Sequence, residues 1–209
     1  MKGLLMKDFI VTKKYFRTIL LFLLFFGAMA YFNEDASYFG GIVVMMCAMS
    51  GISSFSYDAQ VKWDQLALAA PVSRKELVRC KYLLSAGLSL FGLVVSLAVT
   101  CLILLLKGQP IGPEVFGSSL LLVCAALLFL AILLPLIYKF GIEKGRVMIF
   151  AVVGILTASI ILLGGYFAKG FTPTEQMLIS VLIAAPVIIL LLFALSYVIS
   201  CKIVQNKDF

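Results

Sequence analysis

Tyr82–Leu106 reads YLLSAGLSLFGLVVSLAVTCLILLL: 25 residues without a charge, with Lys81 before it and Lys107 after it. About 20 apolar residues carry an α-helix across the hydrocarbon core of a bilayer. This stretch is therefore a membrane span, and the rest of the chain repeats it. Tyr38–Tyr57, Val115–Tyr138, Val147–Ala168 and Gln176–Cys201 are also uncharged and long enough. Ile19–Phe32 is shorter, and becomes sufficient if Tyr15 and Phe16 sit at the interface and Arg17 snorkels outward. The expectation is an all-α integral membrane protein with six transmembrane helices. Its spans lie at about 18–32, 38–57, 82–106, 115–138, 147–168 and 176–201, within a single domain over 1–209.

Composition agrees. Apolar residues make up 63% of the 209 and charged residues 13%, where soluble domains have about 45–50% and about 25%. A soluble protein of this size has too little interior to hide so much apolar surface. The net charge of +7 fits basic residues gathered at the cytoplasmic ends of spans rather than a nucleic-acid partner.

The basic residues also orient the chain. Lys2, Lys7, Lys13, Lys14 and Arg17 precede the first span. Lys62, Arg74, Lys75, Arg79 and Lys81 follow the second, Lys139, Lys144 and Arg146 the fourth, and Lys202 and Lys207 the sixth. The connections on the other side hold only Lys107 and Lys169. Fifteen against two predicts a multi-pass protein with both termini in the cytoplasm. Ala28-Met29-Ala30 looks like a signal-peptidase site, but the basic segment before it is long for a signal peptide, so an uncleaved first span is expected.

Loop chemistry marks several helix starts. Val72-Ser73-Arg74-Lys75-Glu76-Leu77 has the pattern of a capping box with a hydrophobic staple. Gly112-Pro113 and Thr172-Pro173-Thr174-Glu175 place proline at a first helical position. Pro135 and Pro186 fall within spans and are expected to kink them or end one early. Gly40, Gly41, Cys47, Ala48, Ser50, Gly51, Ser53 and Ser54 enrich span two in small residues suited to close helix packing. Gly154, Ala158, Gly164 and Gly165 do so in span five.

Much chemistry is excluded. The chain has no histidine, so Ser-His-Asp catalysis, HExxH zinc sites and His-ligated haem are ruled out. Its five cysteines lack CxxC spacing and read as small apolar residues. Gly-Lys never occurs, so no P-loop binds ATP here. The 27 charged residues fall outside the expected spans, which argues against a proton relay or ion-coupled carrier. Any transport must draw its energy from elsewhere.

Attention therefore falls on Asp58–Lys81, the longest connection. At 100° per residue, Ala59, Trp63, Leu66, Ala67 and Ala70 share one face, while Val61 and Leu68 form a second patch. This segment is either an interfacial helix held by Trp63 or a helix presented to a cytosolic partner; periodicity supports both. Leu5, Phe9, Thr12 and Phe16 also share a face, so residues 1–17 are expected to form an interfacial helix before the chain turns upward.

The opening Met1-Lys2-Gly3-Leu4-Leu5-Met6-Lys7-Asp8-Phe9 resembles the start of small six-span permeases of ATP-binding-cassette exporters of the second class (type V fold). So do Phe55-Ser56-Tyr57-Asp58, Lys62-Trp63-Asp64 and Ala70-Pro71-Val72-Ser73-Arg74-Lys75-Glu76. The chain is similar in length and span order to permeases of phenol-soluble modulin exporters. The resemblance implies a non-enzymatic permease in a bacterial cell membrane, exporting hydrophobic or amphipathic peptides such as modulins or bacteriocins. It implies a second permease copy, identical or different, and two P-loop ATPase chains that carry the ATP and Mg; no cofactor belongs to this chain. It makes 58–81 a cytoplasmic coupling segment. The expected ATPase contacts are Asp58, Val61, Lys62, Trp63, Asp64, Leu66 and Leu68, with Lys144 and Arg146 as a secondary electrostatic contact. The alternative is a non-transport immunity or scaffold protein that occupies a partner by helix packing; a secondary carrier fits the uncharged spans poorly.

Overall fold

The structure, a computed structural model, describes residues 2–32, 37–61, 63, 73–167 and 175–206; a few side chains within the helices, those of Glu143 and Arg146 among them, lie outside that description. Among the described residues there is no strand. The helices are α1 (Lys2–Phe32), α2 (Ser37–Gln60), α3 (Arg74–Leu106), α4 (Pro113–Phe140), α5 (Ile142–Phe167) and α6 (Glu175–Gln205). Five contain stretches long and apolar enough to cross a membrane, namely α1, α2, α3, α4 and α6. In α5 the corresponding apolar stretch runs over Phe150–Ser159.

Local chemistry sets several of these boundaries. At the start of α3 the Glu76 amide donates to Ser73 Oγ and the Ser73 amide donates back to Glu76 Oε2. This is the reciprocal capping box read from the sequence. α4 starts with Pro113 behind Gly112 and stops at Gly141, whose φ of 82° suits a residue without a Cβ. Pro135 and Pro186 end neither α4 nor α6, which both continue past them.

Two expectations are corrected. Residues 2–32 form one continuous helix, not an interfacial helix followed by a span. At about 1.5 Å per residue its 31 residues reach about 46 Å, well beyond the roughly 30 Å hydrocarbon core. The face expected to bind Leu5, Phe9, Thr12 and Phe16 into one surface is divided. Thr12 turns inward with Asp8 and both are buried, while Phe9 is exposed. The cause is polar: Asp8 has partners on α2 and α3 that a membrane surface does not supply.

α4 occupies the middle of the bundle and packs against α2, α3, α5 and α6. Its Phe129, Leu130, Leu133 and Leu134 are fully buried. α2 and α3 make the closest pair. A Cβ on Gly92 would lie 2.9 Å from Cys47 Cβ and 3.1 Å from Val44 Cα, and one on Gly40 would lie 2.7 Å from Ser96 Oγ. The small residues of α2 thus serve packing within the subunit, where missing side chains let two backbones approach.

Candidate functional site

The charges that bind α1 to its neighbours meet at one end of the bundle, here called the base. Lys7 and Asp8 come from the first turns of α1, Ser54 and Asp58 from the end of α2, and Lys81 from the start of α3. Lys7 Nζ lies 2.6 Å from Asp58 Oδ1 and 3.1 Å from Asp8 Oδ1. Lys81 Nζ lies 2.5 Å from Asp58 Oδ2 and 2.9 Å from Asp8 Oδ1. Each ammonium therefore touches both carboxylates, and the four charges cancel. Ser54 closes the ring: its hydroxyl donates to Asp8 Oδ1 at 2.9 Å and accepts from Lys81 at 2.6 Å.

This ring is buried; Asp8, Asp58 and Lys81 are each less than 9% exposed. Charges taken out of water require excellent mutual geometry to offset their lost hydration. Aromatic rings complete the enclosure. Lys7 Nζ sits 4.3 Å from the centre of the Trp63 ring, and Lys81 Nζ 5.0 Å from that of Phe55. Phe55 meets Tyr138 of α4 edge-on at 5.3 Å. The same residues, with Leu4, Leu77 and Cys80, surround a void of about 20 Å³.

Two further ties converge on the base. Arg74 donates to the carbonyls of Val204 and Gln205, at 3.1 and 2.8 Å, so the start of α3 caps the end of α6. Those last-turn carbonyls lack intrahelical partners and carry the negative end of the helix dipole. Above it, Tyr82 OH bonds Ser196 Oγ and Ser200 Oγ at 2.7 and 2.8 Å, and Ser196 donates to the Ala131 carbonyl. The start of α1, the end of α2, the start of α3, the end of α4 and the end of α6 therefore share one end. At the other end, Lys107 after α3 reaches the Ala30 carbonyl near the end of α1. The helices alternate in direction as the basic residues predict.

Of the nine expected ATPase contacts, Asp58 and Trp63 come together, both against Lys7. Asp58 is turned inward and committed to two lysines. Trp63 is half-buried beside the void, so it anchors the connection to the bundle. Val61 is exposed where α2 ends, and Lys144 is exposed in the first turn of α5. Lys62, Asp64, Leu66 and Leu68 lie outside the described residues, as does the side chain of Arg146. Lys7, Asp8 and Lys81 were not expected as site residues from the sequence, and Ser54 was read only as a small residue for helix packing. The signal for them was two acidic residues, Asp8 and Asp58, placed among lysines at span ends, and it was absorbed into the count of basic residues.

Among the described residues no group of His, Cys, Asp and Glu side chains could hold a metal ion. Beyond the ring, the buried polar side chains among the described residues are hydroxyls, such as Ser85, Ser89, Ser96, Thr100 and Ser119. A hydroxyl neither takes up a proton near neutral pH nor neutralises a buried ion, so these residues form no charged pathway through the bundle. The ring ties three helix ends to one another and, through Lys7, to Trp63.

A family described as ABC-2 family transporter protein matches residues 3–205. No curated protein and no solved structure matches the chain.

Proposed function

Because the chain belongs to the ABC-2 family of transporter proteins, we propose that it is the permease of an ATP-driven exporter in a bacterial cell membrane. The family makes it a membrane subunit without a catalytic site of its own, working with an ATPase. The finer reading has six spans, both termini in the cytoplasm, and two permeases paired with two P-loop ATPases that bind the ATP and Mg. The cargo is hydrophobic or amphipathic, with peptides of the modulin or bacteriocin type the leading class. The basic residues favour this orientation, since the base carries the lysine- and arginine-rich connections. The cargo class is favoured by an interior whose described polar groups, away from the base, are hydroxyls.

The observation that carries this reading is the junction of Lys7 with Asp58 and Trp63. A subunit without a P-loop must receive work through contact. The connection after Asp58 is the longest on its side and is rooted in a ring shared by α1, α2 and α3. Displacement of that segment by an ATPase pulls on Trp63 and Asp58, and through Lys7 and Lys81 on two further helices. In this scheme Lys62, Asp64, Leu66 and Leu68 meet the ATPase, with Lys144 and Arg146 beside them, while Trp63 hands the movement inward.

Two variants test this in membranes containing the cognate ATPase. Asp64→Lys is expected to lower ATPase co-purification by about tenfold or more, which corresponds to about 1.4 kcal/mol at the contact. Trp63→Ala is expected to keep the ATPase bound and abolish cargo-stimulated ATP hydrolysis. Undiminished binding and hydrolysis in both variants would sink the assignment.

A further inference from the structure

The void beside the ionic ring measures about 20 Å³. One water molecule needs about 10–15 Å³ of such space, so the void admits one and no larger guest. Its wall has two characters. Leu4, Leu77 and Cys80 contribute apolar surface, while Asp58 and Trp63 contribute polar groups. Trp63 Nε1 and Asp58 Oδ2 are both buried, and among the described residues neither has a hydrogen-bond partner. Asp58 Oδ2 does meet Lys81 in an ion pair, but a carboxylate oxygen has two lone pairs and can accept again. An indole N–H can only donate. A donor and an acceptor, each costly to bury without a partner, thus belong to residues lining the same small space.

The occupant selected by these features is neutral, is no larger than a water, and both accepts and donates. An ion is disfavoured because the two ammonium groups and two carboxylates of the ring already cancel. We propose that one water molecule is held in the void, accepting from Trp63 Nε1–H and donating to Asp58 Oδ2. Tyr138 also lines the void, and its hydroxyl oxygen offers a third partner, the usual number for a buried water. Lys7, whose side chain is 24% exposed, marks the way in from the base. The 58–81 connection is then fastened to the ring twice. Lys7 sits over the face of the Trp63 ring, and the water joins the edge of that ring to Asp58. A bridging water is nearly as favourable as a direct hydrogen bond, but it can exchange. The second fastening can therefore be undone and remade while the ion pairs stay closed. This goes beyond the transport reading and does not depend on it.

Trp63 is the single tryptophan of the chain, so one indole resonance reports on the site. The full chain, carrying ¹⁵N-indole tryptophan, is reconstituted in lipid and examined by solid-state NMR for magnetisation transfer from water protons to the Trp63 N–H. Wild type is expected to show strong transfer, with the N–H proton shifted as in a hydrogen-bonded indole. Cys80→Val adds one carbon beside the void and is expected to lose most of the transfer while the resonance stays single. Leu77→Phe fills the void from another side and is expected to do the same, so the test survives if one variant fails to fold. Wild type without transfer from water overturns the site. So does transfer that persists undiminished in both filling variants, because the indole then meets bulk water rather than a held molecule. A hydrogen-bonded N–H without transfer from water assigns its partner to the protein itself, and the water bridge falls.

Discussion

The two ends of the bundle hold α1 against α3 by different means. At the base the contact is ionic and shared. Lys7, Asp8, Asp58 and Lys81 are arranged so that each charge has two opposite neighbours within about 3 Å, and Trp63 brings the following connection into the same contact. At the opposite end a bond of 3.3 Å runs from Lys107 to the carbonyl of Ala30, beside apolar packing of Ile19 and Ala30 with Ile103. An ionic ring in a water-poor site has no graded intermediate: removing one member leaves another charge buried without compensation. An amine bonded to a carbonyl near the interface competes with water for the same groups. The base is therefore the more rigidly fastened of the two ends. Under the coupling proposed above, that asymmetry would give a lever whose root is stiffer than its tip.

The contrast breaks most severely at Lys81. Lys81→Met keeps much of the side-chain volume but leaves Asp8 and Asp58 sharing Lys7 alone. Breaking a buried ion pair from one side costs about 3–5 kcal/mol. The expected result is a large fall in thermal midpoint and rapid alkylation of Cys80, which lines the adjacent void and is buried in the wild type. The matched variant Asp8→Asn with Lys81→Met removes one charge of each sign. It is expected to recover part of the loss, so the two substitutions should be clearly non-additive. A midpoint for Lys81→Met within a degree or two of wild type would mean that the ring does not hold the base.

Much of the fold was legible because a span announces itself by what it lacks. Uncharged runs such as Tyr82–Leu106 have one physical solution in a bilayer, and the bias of lysine and arginine fixed how they alternate. Ser73 and Glu76 marked the start of α3 because a capping box depends on two side chains three positions apart, a purely local matter. The ring was not legible for the opposite reason. Asp8, Asp58 and Lys81 are separated by 50 and 23 positions, and helical periodicity cannot register three helices against one another. Apolar faces mislead as well. Leu5, Phe9, Thr12 and Phe16 read as the membrane-surface face of an interfacial helix, yet Asp8 and Thr12 turn inward and set the rotation, because a buried carboxylate requires its partners whereas an exposed phenylalanine is at ease in lipid.

A middle level of effect is expected at Tyr82, which joins α3 to α6 just above the base. Its hydroxyl bonds two serines, and its ring packs edge-on against Phe193 and Tyr197. Tyr82→Phe keeps the ring contacts and removes the hydroxyl. The net loss for its hydrogen bonds is about 1–2 kcal/mol. Ser196 still donates to Ala131, which limits the damage. The measurement is the thermal midpoint together with alkylation of Cys201, buried near the same end of α6. A moderate rise in Cys201 labelling, with Cys80 still protected, would show that the α3–α6 contact and the ionic ring are separate fastenings.

The smallest effect should come from Lys107, and it tests the compliant end. Lys107→Ala removes the bond to Ala30 and leaves α3 ending at the same turn, since that end is held by backbone bonds from Lys107 N to Ile103 O and from Gly108 N to Leu105 O. Interactions of an interfacial lysine are worth about 0–1 kcal/mol because water competes for the same groups. The expected change in thermal midpoint is correspondingly slight. The informative measurement is a distance: spin labels at Tyr31 and Leu106, both exposed, report the separation of α1 and α3 at this end. In Lys107→Ala that distribution is expected to broaden, while a pair at Lys13 and Lys75 near the base stays as in wild type. Equal broadening at both ends would show that the bundle lacks a stiff root, and the lever would have to be placed elsewhere.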